Sequence, residues 1–122
     1  MQEKFNKEKW KVKKMSNECI FCKIVNGEIP SKKVYENDYV IAFDDINPKA
    51  KIHTLVVPKE HIESFNELED EKLMAEILKA IKEVVKIKGI KSYKLHVNTG
   101  KEEGQIVMHL HFHILSNTVE RI

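Results

Sequence analysis

The sequence predicts an α+β domain in which one long helix packs on a mainly antiparallel β-sheet. Residues 70–88 carry apolar side chains at three- and four-residue spacing, which is the period of an amphipathic helix. Short β-branched runs bounded by turn residues lie on both sides of this segment. The sequence shows no repeated alternation of strands and helices of the kind that builds parallel βαβ units, and this favours an antiparallel sheet.

The chain of 122 residues is expected to form one domain, residues 17–122, preceded by an extension, residues 1–16. The extension is lysine-rich and expected to be flexible, with a short amphipathic helix or a partner-binding arm as the alternative. A formal net charge of +2 does not favour nucleic acid as a specific partner. No apolar run reaches the roughly 18 residues of a membrane span, no secretory signal is visible, and a cytoplasmic location is expected.

Alternation and turn residues define the strands. Asn37 and Asp38 join the first two strands, Pro58 ends the third, and a glycine-containing loop precedes the last. The five predicted strands cover residues 33–36, 39–43, 53–58, 92–98 and 106–115.

The long helix has clear ends. Asp70 is a suitable N-cap, and Gly89 stands where a left-handed C-terminal residue is favoured. Its apolar stripe is expected to pack in the core. The stripe consists of Leu73, Met74, Ile77, Leu78, Ile81, Val84 and Val85, with Lys88 at its polar end.

Half of the six histidines stand on alternate residues of the last predicted strand, in MHLHFHIL. Side chains alternate between the faces of a strand, so His109, His111 and His113 are expected on one face, with neighbours about 7 Å apart. The apolar residues between them would face the helix. A solvated polar face is the bland alternative, and strict alternation after a glycine loop argues against it.

Two chemistries suit such a row of imidazoles. Neutral imidazoles can bind a metal ion, as in a three-histidine zinc site. Alternatively, one imidazole can attack phosphorus while its neighbour donates to a phosphate oxygen. Spacing alone leaves both open.

The residues around the row resemble a known family. GQIVMHLHFHIL, residues 104–115, resembles the His-φ-His-φ-His-φ-φ signature of the histidine triad superfamily, in which φ is apolar. The segment from CIFCKIVNGEIP to VVPKEHI is similar to the N-terminal half of the Hint branch, and VNTGKEEGQ to its phosphate loop. The resemblance covers about residues 18–116. It implies a HIT-like fold, with a five-stranded mainly antiparallel sheet, one long helix and a short N-terminal helix.

The resemblance implies a purine nucleotide hydrolase or nucleotidyl transferase that releases AMP from adenosine 5′-phosphoramidates. His111 matches the nucleophile, and His113 matches the donor to the phosphate. His53 would lie beside them near the active site, with a hydrogen-bonded core histidine as the alternative. The alternatives are hydrolysis of dinucleoside polyphosphates, or nucleotide binding and scaffolding with weak activity.

The resemblance also implies the nucleotide-binding residues. Asp45 matches the acceptor of the ribose hydroxyls, whereas Asp44 is expected to be solvated. At Ile106 the relatives usually carry serine or threonine, whose hydroxyl serves the leaving group, so this chain departs from the pattern. The implied set is Phe21, Ile24, Phe43, Asp45, Ile46, Asn98, Gly104, Gln105, Ile106 and Val107, although for Phe43 and Ile24 ordinary core packing is the alternative.

The spacing of the two cysteines in CIFC is compatible with a redox pair, with half of a zinc site and with two free thiols. The resemblance implies a structural zinc held by Cys19, Cys22, His61 and His109, a closed tetrahedral set without a position for catalytic water. No catalytic cofactor is expected. The resemblance also implies a homodimer formed through the long helix and a strand. His96 is expected to face solvent without a role.

Overall fold

The computed structural model describes residues 19–118. The predicted extension, residues 1–16, lies outside this range. The elements in chain order are α1 (Ile20–Val25), β1 (Lys33–Glu36), β2 (Val40–Asp44), β3 (Ile52–Pro58), α2 (Glu71–Lys88), β4 (Lys94–His96) and β5 (Phe112–Ser116).

The five strands form one antiparallel sheet in the order β1-β2-β3-β5-β4. The last strand of the chain therefore lies between β3 and β4, and it brings residues distant in sequence beside each other. His113 has Leu55 as its partner on one side and His96 on the other. The predicted α+β class, the five strands and the long and short helices are confirmed.

The ends of α2 follow the predicted capping. The Asp70 carboxylate accepts hydrogen bonds from the backbone N–H groups of Lys72 at 2.9 Å and Leu73 at 3.3 Å. Gly89 ends the helix with φ 65°, a left-handed conformation that glycine adopts without a steric penalty. Both ends of the helix could therefore be read from the sequence.

The apolar stripe of α2 is wider than the face that the sheet covers. Ile77 is buried at 1% exposure, whereas Leu78 is 57% and Met74 36% exposed. The prediction that the whole stripe packs in the core is wrong for these two residues, because the sheet contacts only one side of the helix. The buried helix residues are Leu73, Ile77, Ala80, Ile81 and Val84.

The two faces of the sheet bury different clusters. The face toward α2 includes Val40, Val56 and Ile114. On the opposite face, Cys22 of α1 and its neighbours pack with Leu55 and the other side chains of that face. Since successive strand residues face opposite ways, β5 directs Phe112 and Ile114 at the helix and His113 at the α1 side.

The last strand is shorter than predicted. It begins at Phe112, not at residue 106, so His109 and His111 precede it. The backbone N–H of Leu110 donates to the carbonyl of Ile62 at 2.7 Å, which ties this segment to the loop after β3. The ladder between β3 and β5 ends at the pair Val56 and Phe112, whereas β3 pairs with β2 as far as Pro58. β4 is likewise reduced to three residues from the predicted 92–98.

The sequence predicts a solvated Asp44, but the structure gives its carboxylate two side-chain partners. Its carboxylate accepts from the Thr54 hydroxyl at 2.9 Å and pairs with the Lys88 ammonium at 2.9 Å. This half-buried group joins β2 and β3 to the C-terminal end of α2.

Within residues 19–118, no helix is long and apolar enough to cross a membrane.

Candidate active site and metal centre

His111 lies just before β5, with only 8% of its surface exposed. Its Nδ1 lies 2.7 Å from the backbone carbonyl oxygen of His109. A carbonyl only accepts, so Nδ1 carries the proton and donates it. The other ring nitrogen, Nε2, then keeps a free lone pair. This tautomer is the form in which a neutral imidazole can act as a nucleophile.

A second chain of hydrogen bonds sets the tautomer of His113. The backbone N–H of Lys49 donates to His53 Nδ1 at 3.0 Å, so the proton of neutral His53 is on Nε2. That Nε2 lies 2.9 Å from His113 Nδ1, which therefore accepts. The proton of His113 is then on its Nε2, the nitrogen that remains available to donate. Asp45 Oδ2, 3.5 Å from His53 Nε2, is a second and weaker partner.

Burial keeps these imidazoles neutral. Desolvation is the main cause that lowers the pKa of His113 from 6.5 to about 4, and the neighbouring His111, His96 and His53 add to it while Asp45 opposes it. The pKa of His111 is also lowered, chiefly by desolvation, against the hydrogen bond to His109. Desolvation likewise lowers the pKa of His53. At neutral pH the site therefore presents one lone pair and one N–H donor on uncharged rings.

The three triad histidines do not form one even row. The ring centroids of His111 and His113 are 4.9 Å apart, closer than the predicted 7 Å spacing. The ring of Phe21 lies edge-on to both His109, at 5.9 Å, and His111, at 5.0 Å. His109 instead directs Nδ1 toward the cysteines, because its Nε2 donates to the carbonyl of Pro58 at 2.9 Å.

His96 is the residue that sequence reasoning missed. Its ring stacks on His113, with centroids 4.5 Å apart and planes at 23°. His96 is exposed, as the sequence predicts, and its ring contact with His113 is the feature that the sequence did not indicate. The contact depends on the β4–β5 register, which pairs His96 with His113 and which no local pattern predicts.

The residues expected around the base and ribose occupy two environments. Phe21 and Phe43 are buried and contact each other edge-to-face at 5.6 Å, and Ile24 packs against the same cluster. Ile46 is 86% exposed. Asp45 is half-buried and accepts from the backbone N–H of Asn47 at 2.9 Å. Its remaining carboxylate oxygen faces His53, so the acidic group lies at the histidine cluster.

The loop before the triad is braced by its own side chains. Gln105 is buried, and its side chain bonds the Gly100 N–H and the carbonyls of Glu63 and Val107 at 2.8, 2.7 and 3.1 Å. Asn98 donates to the carbonyl of Glu103 at 2.9 Å.

The tip of the loop is tightly packed and partly open. A Cβ on Gly104, whose φ is 94°, would come within 3.3 Å of the Asn98 amide. Val107 packs toward the α1 side, whereas Ile106 is 89% exposed.

Cys19, Cys22, His61 and His109 are close together, with their four ligand atoms within 4.8 Å of one another. The His109 Nδ1 lies 3.3 and 3.6 Å from the two sulfurs, and His61 Nδ1 lies 3.2 Å from Cys22 Sγ. Zn–S and Zn–N bond lengths imply a tetrahedral S···N edge of about 3.6 Å. The donor set and its size therefore fit a closed zinc site.

Comparisons with known proteins agree with this geometry. The HIT domain family matches residues 26–119. An uncharacterised HIT-like protein of Methanocaldococcus jannaschii is 53% identical over 100 residues, which is 80% of this chain and 77% of the relative. The adenosine 5′-monophosphoramidase of Schizosaccharomyces pombe is 47% identical over 97 residues, 80% of this chain and 72% of the relative.

Solved structures give the same result. A HIT family hydrolase from Clostridium thermocellum superposes with a TM-score of 0.80 at 42% identity, over 84% of this chain and 92% of that one. The chain belongs to the HIT domain family, a family of nucleotide-binding hydrolases and nucleotidyl transferases.

The low pKa of His113 predicts how stability depends on pH. Between pH 6.5 and about 4 the unfolded chain binds a proton at this position that the folded protein does not. The free energy of unfolding should therefore fall as pH falls through this window. We expect His113→Asn to lose less stability than the wild type between about pH 7 and about pH 5 in urea unfolding. Lys82→Ala on α2 is the control, and an equal loss in His113→Asn would contradict the prediction.

Proposed function

We propose that the protein hydrolyses nucleoside 5′-phosphoramidates, adenosine 5′-phosphoramidate among them, through a nucleotidyl intermediate on His111. The observation that carries this proposal is the 2.7 Å hydrogen bond from His111 Nδ1 to the His109 carbonyl, which leaves Nε2 as a nucleophile. The relation to the Schizosaccharomyces pombe adenosine 5′-monophosphoramidase supports the substrate class.

In the first step the Nε2 lone pair of His111 attacks the α-phosphorus, and the bond from phosphorus to the amine nitrogen breaks. The amine leaves with that electron pair and takes a proton from water. His113 Nε2–H donates a hydrogen bond to a non-bridging oxygen, where negative charge increases in the transition state. A neutral donor held by His53 needs no reorientation at that moment.

In the second step water attacks the phosphorus of the nucleotidyl-histidine and loses a proton to the solvent, which replaces the one taken by the amine. The P–N bond to His111 breaks, its electron pair returns to Nε2, and the nucleoside monophosphate leaves. We assign ribose binding to Asp45, whose carboxylate suits a diol. Phe21, Phe43, Ile24 and Ile46 would contact the base, and the loop residues Asn98, Gly104, Gln105, Ile106 and Val107 would line the ribose and phosphate.

A nucleotide-binding protein with weak activity is the second candidate, and Ile106 favours it. This side chain is 89% exposed at the tip of the loop and can neither donate nor accept a hydrogen bond. A leaving group that needs a hydrogen-bond partner would obtain none from Ile106. Binding of the nucleoside monophosphate does not need that hydrogen bond.

Early-quenched single-turnover mass spectrometry with adenosine 5′-phosphoramidate separates the two functions. We expect a transient gain of one adenylyl group in the wild type and none in His111→Asn, which should also slow turnover roughly 10³-fold or more. Lys82→Ala, distant from the site, should behave as the wild type. Bound nucleotide without adduct or product in the wild type would contradict the enzyme and favour the binding protein.

We propose that the Cys19, Cys22, His61 and His109 cluster holds one structural zinc ion. When bound, zinc would crosslink α1 to the loop after β3 and to the segment before β5. His109 would then be fixed both by zinc at Nδ1 and by Pro58 at Nε2. Two free cysteines close to each other are consistent with a reducing, cytoplasmic location.

Elemental analysis of the purified protein tests the zinc proposal. We expect about one zinc per chain, a much smaller fraction in Cys22→Ser, and a lower melting temperature for the zinc-depleted chain. Ile20→Ala, an exposed neighbour that offers no ligand atom, should keep the metal. A chain that contains no zinc after purification and reconstitution would overturn this assignment.

We propose that two chains pair through α2 and the outer edge of the sheet. Met74 and Leu78 form an exposed apolar strip along α2, and Leu95 of the edge strand β4 is 45% exposed. An exposed edge strand and an apolar helix face are both surfaces that proteins usually cover. A homodimer would cover them.

Analytical ultracentrifugation tests this pairing. We expect a dimer for the wild type at micromolar concentration and a shift to monomer for Leu78→Lys, because the charge would be buried without a partner. Lys82→Ala on the same helix should remain dimeric. A wild type that sediments as a monomer would contradict the proposal.

A further inference from the structure

The His113 ring is held on two sides by side chains from different strands. His53 of β3 lies 5.2 Å away between ring centroids and shares the 2.9 Å hydrogen bond with His113 Nδ1. His96 of β4 lies on another side, at 4.5 Å and nearly parallel. The sheet order β3-β5-β4 creates this arrangement, because it sets β5 between the two strands.

The two contacts constrain different motions of His113. A hydrogen bond at Nδ1 fixes the direction of one nitrogen, but it leaves the ring free to tilt about that bond. A stacked aromatic ring opposes the tilt, since offset, near-parallel planes are a preferred geometry. The two contacts together restrict where Nε2–H points, and a donor must be aimed closely to stabilise a transition state.

We propose that His96 is a positioning residue, which by stacking on His113 holds its Nε2–H in the direction of the reacting phosphate. This proposal rests on the proposed function, because it takes His113 as the hydrogen-bond donor to the phosphate. His96 does not replace His53, which fixes the tautomer. It fixes the plane of the ring.

The electrostatics of the cluster agree with this arrangement. Desolvation is the largest cause of the low pKa of His113, and the ring of His96 is stacked against the ring of His113. His111, His96 and His53 further oppose its protonation, and Asp45 favours it. Removing His96 would both expose the ring and take away one repulsive neighbour. Both changes raise the pKa of His113.

Kinetics of three variants test the proposal with adenosine 5′-phosphoramidate as substrate. We expect His96→Ala to lower kcat about 10-fold with KM within about 2-fold, because the donor acts mainly in the transition state. His96→Phe keeps a flat ring without nitrogen atoms and should restore most of kcat. Lys94→Ala, an exposed position on the same strand, is the matched control and should be unchanged. Unchanged kcat in His96→Ala, or equal losses in the Ala and Phe variants, would overturn the proposal.

A substrate-free measurement distinguishes this proposal from the proposed function. Nitrogen-15 NMR titration of His113 should show a raised pKa in His96→Ala, largely restored in His96→Phe, with the proton on Nε2 in every variant because His53 is unchanged. The readout remains valid if the wild type hydrolyses no phosphoramidate. A His113 signal identical in wild type and His96→Ala would mean that His96 does not position this ring.

Discussion

The hydrogen bond from His111 Nδ1 to the backbone carbonyl of His109 is the interaction on which the rest of the site depends. It decides which nitrogen of a buried, neutral imidazole keeps its lone pair. The carbonyl can do so because the chain bends before β5 and does not continue as a strand. The Leu110 N–H is tied to Ile62 at this bend, and the carbonyl of His109 is thereby set against the ring of His111.

The same short segment links the active site to the cysteine cluster. His109 contributes its carbonyl to His111 and its ring to Cys19 and Cys22, so one residue takes part in both sites. Phe21, in the helix that begins next to Cys19, fills the space between the two rings. Order in the cluster would therefore be transmitted to His111 by packing and by one peptide group.

Local sequence patterns predicted the helices and strands, whereas contacts between residues distant in sequence determine the geometry of the site. The period of α2 and its caps at Asp70 and Gly89 could be read from sequence because both are properties of neighbouring residues. Alternation grouped the three histidines but could not show that His109 turns to the cysteines, because that depends on the carbonyl of Pro58. The stacking of His96 depends on strand order, which alternation does not encode.

The tautomers of the wild-type imidazoles test the central claim most directly, because the proposed mechanism depends on which ring nitrogen of each histidine carries the proton. Long-range proton–nitrogen NMR of the folded protein at neutral pH reports which ring nitrogen carries the proton. The hydrogen bonds of the three rings predict a proton on Nδ1 of His111 and on Nε2 of both His53 and His113. A proton on Nε2 of His111 would remove the nucleophilic lone pair and contradict the mechanism, whatever activity the protein shows.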